Sequence, residues 1–370
     1  MRRLGRISRA CLRGCLYVLI ALAIFAAVPI AYTELSCKSS VAPSGNNKPD
    51  HLPAALWDGG FRRAEGDSYL TYPEWYIVHA YADLAGVTRQ SSESAFDYHT
   101  SVTGFWSSLC SATKTASAIG PVTADQRVTN YIIGLSFSLE MGLQGLYERT
   151  IGALTVRARG DTRTPEDAFN LRFLDDYAAF LQQTPWYAYP FKTELTRFWQ
   201  ETPWSGQAPI RAGERRFALS LEYATKWGYG AAMRVLAGLS PADLRIRSVI
   251  RRKSEDEAWP EGVTQVRDLG DHTFLVETPR YQAFTDILRL LGQRGDTVLE
   301  IAGNTHILTT IVAPAEASLK TPGAHEIFSI PIQSRPGWRR IGLDTEVPSL
   351  TALIGAVERQ GATFEHAYDY

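Results

Sequence analysis

Apolar positions recur every three or four residues from about residue 69 to 239 and every two residues beyond it, so the chain divides into a helical part and a sheet part. Ahead of both lies a different signal. Residues 15–32 run without a single charge, enough helix for about 27 Å against a bilayer core of about 30 Å. Residues 33–68 then carry Pro43, Gly45, Asn46, Asn47, Pro49 and Pro53 with little periodicity, which predicts an extended tether.

Thr71 and Glu74 have the spacing of a capping box, in which each side chain satisfies an orphan amide of the first turn, so a helix is expected over 71–84. Further helices are expected over 91–110, 130–149, 164–183 (opened by Thr164, Pro165, Glu166 and Asp167), 192–201 and 214–239, the last interrupted near Gly228 and Gly230. Segment 131–147 is apolar, but Glu140 and Gln144 interrupt it. A charge at bilayer depth costs about 3 kcal/mol, so this segment is expected to be a buried core helix and not a second span.

Ser240 and Pro241 mark the change of period. Strands are predicted over 244–252, 263–269, 273–278, 298–302, 305–313, 327–332, 339–343 and 363–368, with helices over 280–293 and 348–360. Gly303-Asn304 fits the two-residue turn of a hairpin. The predicted fold class is α+β: an N-terminal transmembrane helix, a mainly helical, aromatic-rich domain (69–239), and an antiparallel-rich α+β sheet domain (240–370). Its helices cover one sheet face, a pattern compatible with two ferredoxin-like halves.

Charge orients the chain. Arg2, Arg3, Arg6, Arg9 and Arg13 precede the apolar run, and no acid comes before Glu34. Positive flanks resist translocation, so residues 1–14 are expected in the cytoplasm, 15–32 as a single-pass signal anchor of the bacterial inner membrane, and the rest in the periplasm. A cleaved secretory signal competes, although Ala27 and Pro29 make a poor cleavage site, as does lipidation at Cys37. Without those five arginines, 33 basic side chains face 39 acidic ones, about −6, which excludes a nucleic-acid binder working through basic surface. Cys37 and Cys110 are the cysteines beyond the membrane segment and are expected to stay unpaired.

Motifs exclude much chemistry. No lysine follows a glycine as in a P-loop, and Cys-x-x-Cys, His-Glu-x-x-His and Gly-x-Ser-x-Gly are absent from the sequence, so neither cofactor nor metal is expected. Trp75, His79 and Asp83 fall on one helical stripe, where Asp83 could orient His79 as a base. His99, Thr103, Trp106 and Cys110 form a comparable stripe, and antiparallel packing would bring His79, Asp83 and His99 together. Plain aromatic packing explains the same stripes. Cys110 lies about 16 Å along the helix from His99, too far for a nucleophile pair.

Trp186, Trp199, Trp204 and Trp227, with Tyr187, Tyr189, Phe191 and Phe198, suit an apolar or sugar-binding groove, or a membrane-interface belt. Glu140 and Glu222 are expected to pair with bases, Lys226 being four residues beyond Glu222. Arg245, Arg247, Arg251, Arg252 and Lys253 fit a charged edge strand that discourages aggregation, or a contact with anionic lipid. The expected function is a non-catalytic, membrane-anchored binding or accessory protein for a lipid, a hydrophobic small molecule or a membrane partner. Trp75, Trp106, Trp186, Trp199, Trp204 and Trp227 are its ligand-binding candidates. The alternative is a membrane-tethered hydrolase using His79, Asp83 and His99.

Overall fold

The change of period at residue 240 is a change of architecture in the computed structural model, which describes residues 2–38, 61–204, 206–236, 244–254 and 257–369, and only the backbone for part of the first helix. The helical part comprises α1 (Arg2–Ser36), α2 (Asp67–Gln90), α3 (Tyr98–Ile119) and α4 (Ala124–Tyr147). A π-helical turn (Glu148–Gly152) leads to α5 (Ala153–Arg159), followed by α6 (Pro165–Leu181), α7 (Phe191–Glu201) and α8 (Pro209–Leu236), which is not interrupted at Gly228 or Gly230.

Helix α1 continues through Pro29 to Ser36, so the start of the expected tether is helical, while residues 39–60 of it lie outside the described residues. Among the described residues no helix is long and apolar enough to cross a membrane; the side chains of Cys15, Val18, Leu19 and Leu22 within the expected span lie outside them. The described apolar side chains Tyr17, Ile24, Val28 and Leu35 face outward. At the other end of α1, Cys37 forms a disulfide with Cys110 of α3, Cα to Cα 4.9 Å, correcting the expectation of two free thiols. The extra helical turn carries Cys37 onto α3. It also sets Glu34 to accept from Tyr131 of α4 at 2.8 Å, with Arg127 3.7 Å away.

Local signals fixed some helix ends and not others. Helix α6 begins at the expected Thr164 cap, closed by Asp167. Helix α2 begins a turn before the Thr71 box, and Thr71 Oγ1 donates to the Asp67 carbonyl at 3.0 Å instead. The reason is tertiary: Ser68 is buried and bridges to the sheet, donating to the Tyr368 carbonyl and accepting from the Leu308 amide. Helix α3 starts seven residues later than expected, at an Asp97 cap.

The sheet part holds β1 (Arg245–Arg251), β2 (Thr264–Gly270), β3 (Thr273–Pro279), α9 (Gln282–Arg294) and β4 (Thr297–Ile301). It continues with β5 (His306–Pro314), β6 (Ala324–Pro331), β7 (Trp338–Glu346), α10 (Leu350–Arg359) and β8 (Thr363–Ala367). The two antiparallel sheets have orders β2-β3-β1-β4 and β6-β7-β5-β8. Each is therefore the same β-β-β-α-β unit with one split crossover. Loops replace the helix that a full ferredoxin-like half would carry between its first two strands.

The expected hairpin across Gly303-Asn304 is not one. Beyond a single Ile301 to Asn304 bridge, β4 pairs with β1 and β5 with β7 and β8; Ala302 (φ 50°) and Gly303 (φ 77°) pass the chain from one sheet to the other. Nor is β1 an edge strand: it lies between β3 and β4, and Arg245 and Arg247 pair with Glu277 of β3 at 2.9 and 3.2 Å. One face of each sheet joins α9 and α10 in a common core that includes Ile246, Val276, Leu288, Ile311, Leu353 and Phe364. The other face of the second sheet packs Leu308, Phe328 and Ile330 onto Tyr72 and Tyr76 of α2. A bulge opposite Thr310 and Ile311 lets Phe364 join the first core while His366 and Tyr368 reach α2.

Candidate functional site

The stripe carrying Trp75 and His79 faces the second sheet. His79 Nε2 lies 3.1 Å from Tyr368 Oη, which lies 3.0 Å from Thr310 Oγ1. Arg340 donates twice to Glu365, at 2.6 and 2.8 Å, and Glu365 is 3.7 Å from His79. The Trp75 ring stacks on His366, centroids 3.6 Å apart, and His366 Nδ1 lies 2.9 Å from Thr285 Oγ1. Burial, with Arg340 adding to it, drives the His79 pKa down to about 3. Burial also favours neutral Glu365, yet Arg340 more than offsets it and holds that carboxylate at about 2. His79 is thus held neutral and buried beside the Tyr368 phenol, where α2 meets the second sheet.

Asp83 and His99 are elsewhere. Asp83 accepts from the backbone amides of Gln333 and Ser334, and the Gln333 side chain accepts from the Asp97 amide and donates to the Asp97 carbonyl. The loop between β6 and β7 thus wedges between α2 and the start of α3, while His99 is exposed. No hydrogen bond or ion pair joins any two of His79, Asp83 and His99.

The tryptophans separate by depth. Trp75 and Trp106 are core, the latter donating to Ser138 Oγ at 2.9 Å. Trp186 leans on Tyr229, and Trp227 lies under Lys192. Trp199 and Trp204 line an open cleft of about 570 Å³ with Gly213, Arg216, Phe217, Ser220 and Leu221, a size that suits a small apolar ligand. The Arg216 guanidinium sits 5.1 and 5.4 Å from the two indole centroids and donates to Glu166 at 2.8 Å. Trp199 donates to Ser220 Oγ at 3.0 Å.

Around that cleft the usual sorting of charge is reversed. Arg211 is wholly buried, donating to Asp167 at 2.8 Å, Glu93 at 3.1 Å and Glu214 at 2.9 Å. Arg215 beside it donates to Glu148 and Glu214, both at 2.6 Å. Lys226 meets Glu140 at 2.9 Å and Glu222 at 2.8 Å, the pairing expected for those acids. Burial alone would lower Lys226, but Glu140 and Glu222 raise it well above the ordinary lysine value. Burial pushes Glu148 up to about 7 despite Arg215.

Apart from exposed Asp125 in the first turn of α4 and exposed Arg234 near the end of α8, the outward faces of these two helices carry no charge. On α4, the exposed residues from 128 to 147 are Val128, Thr129, Ile132, Leu139, Gly142, Leu143 and Leu146. The expectation that 131–147 is a buried core helix is corrected accordingly: Phe137, Ser138, Met141 and Gly145 are buried, and the opposite side faces out. On α8, the exposed residues from 209 to 233 are Pro209, Ile210, Phe217, Leu221, Ala224, Thr225, Trp227, Gly228, Tyr229, Ala231 and Ala232.

The contacts Glu140 to Lys226 and Tyr147 to Glu214 make the two helices antiparallel neighbours. At about 100° per residue, both apolar stripes fall on the same side of that seam. Periodicity alone displays both faces of α8 and does not say which turns inward. The signal was present in the i, i+4 spacing of Val128 with Ile132, Leu139 with Leu143 and Phe217 with Leu221. No family model, curated protein or solved structure matches this chain.

Proposed function

We propose that this chain is a non-catalytic binding or accessory protein, anchored in the bacterial inner membrane by residues 15–32 with its folded part in the periplasm. Its helical domain engages a lipid, a hydrophobic small molecule or a membrane partner through the uncharged side of α4 and α8 and the Trp199–Trp204 cleft. One observation carries this: from Val128 to Tyr147 of α4 and from Pro209 to Met233 of α8 the exposed residues include no charge, the exposed charges Asp125 and Arg234 lying at the outer ends of the two helices, while Arg211, Glu214 and Arg215 of α8 are held in buried ion pairs. Burying ion pairs is costly, and apolar patches on monomers facing water are usually small. Such a face is stable when something apolar covers it.

Two further features support the reading. The described apolar side chains of α1 face outward, as a membrane segment requires, and the Cys37–Cys110 disulfide suits an oxidising compartment. The hydrolase alternative has little support, because the loop between β6 and β7 separates Asp83 from His99 and burial keeps His79 neutral. The test is co-purification. Full-length protein extracted in mild detergent is expected to carry a lipid, small molecule or membrane protein that the double variant Phe217→Glu/Leu221→Glu loses while remaining folded. Equal recovery from both would refute the role of this face.

A further inference from the structure

Resting on that reading, we infer that the occupant of the α4–α8 face is the phospholipid bilayer itself: the two helices lie in the headgroup boundary beside the anchor, with Trp199 and Trp204 among the headgroups. The joint between α1 and α4 carries the argument. Glu34 stands two residues, about 3 Å of helix, beyond the expected span, and it is bonded to Tyr131 and faces Arg127. The apolar surface of α1, ending in exposed Tyr32 and Leu35, therefore meets the apolar face of α4, beginning at exposed Val128 and Ile132, within about a turn of helix.

The Cys37–Cys110 bridge holds that joint shut from the α3 side. A bilayer that takes up residues 15–32 comes up against α4 at once, and one continuous apolar phase then covers both surfaces. A second copy or another protein's helix would cover the α4–α8 face while leaving α1 to a separate environment. The edge chemistry agrees. Trp199 and Trp204 each join an apolar ring to a polar neighbourhood, Ser220 for the one and Arg216 for both, and indoles with that surrounding concentrate at membrane interfaces.

The experiment uses the full chain reconstituted into phosphatidylethanolamine and phosphatidylglycerol vesicles whose acyl chains are brominated near the glycerol, near the chain end, or not at all. The fluorescence attributable to the cleft is the difference between wild type and Trp199→Phe/Trp204→Phe. That difference is expected to be quenched severalfold more by bromine near the glycerol than by none. Flotation with the vesicles but an unquenched difference overturns the bilayer seat and leaves the anchor standing; a dimeric chain or a bound protein in that case identifies the occupant instead. Failure to float overturns the anchor, and the seat with it. Should the tryptophan variant misfold, a nitroxide on Leu143→Cys, with Cys11 and Cys15 changed to serine, gives an independent answer. It is expected to be more accessible to oxygen than to a water-soluble nickel complex, and the reverse order overturns the inference.

Discussion

Single residues state the energetics of the helical core most sharply. Arg211 is surrounded by Asp167, Glu93 and Glu214, and removing it takes the shared cation from three buried carboxylates that Arg159, Asn170 and Arg215 then satisfy only in part. Arg211→Ala is expected to cost about 3–5 kcal/mol in urea unfolding, and Arg211→Met less, because a well-packed apolar side chain replaces part of the lost volume. Gly152 is constrained by the same network: a Cβ there would collide with the Glu148 carboxylate.

His79 gives a pH dependence of definite sign. Its folded pKa, about 3, is below the ordinary value of 6.5, so on acidification the unfolded chain takes a proton that the folded chain refuses. Stability supplied by neutral His79 therefore falls as pH drops through 6.5, by about 2 kcal/mol between pH 7 and 5. Glu148, raised, works in the opposite sense: it stabilises below its unfolded value and loses that contribution as pH rises through about 7. The test is thus a difference. His79→Gln should flatten the acid limb of unfolding free energy against pH relative to wild type; parallel curves would show that His79 is not held neutral.

At the scale of elements, what the sequence disclosed depended on whether the deciding interaction was local. The Thr164 cap was legible because Thr164 and Asp167 satisfy each other's amides within one turn. The Thr71 box was equally good as a pattern and yet unused, because Ser68 is needed a turn earlier to bridge β5 and the end of β8. The turn at Gly303-Asn304 was visible, but not that it joins two sheets; positive φ serves either purpose. Helix α4 was legible as a helix and misread in depth, since its apolar run 131–147 reads as core on every side whereas only Phe137, Met141 and their neighbours turn inward.

The candidate site shares that history. Trp199 and Trp204 were visible as members of an aromatic cluster, whereas their separation from core Trp75 and Trp106 required the fold. Pairing of Cys37 depended on one more turn of α1 than the pattern suggested. Cys37→Ser is expected to cost about 4 kcal/mol through the longer loop freed in the unfolded chain, read as a lower unfolding midpoint under oxidising conditions and no change under reducing ones.

At the scale of the whole molecule, the described residues form a helical part locked to a duplicated sheet. Tyr72 and Tyr76 pack on Phe328 and Ile330 across that junction, so the helical part and the second sheet share one core. The α4–α8 face lies outside that core, with Arg211, Arg215 and Lys226 paired behind it and its exposed residues uncharged over 128–147 and 209–233. The most direct measurement of whether that face meets an apolar environment is carbene footprinting of the full chain in native membranes, with one lipid-soluble and one water-soluble photoreagent. Peptides spanning 139–146 and 217–221 are predicted to be labelled by the lipid-soluble reagent or shielded from both; labelling by the water-soluble reagent as heavy as that of the exposed strand β2 would contradict the account.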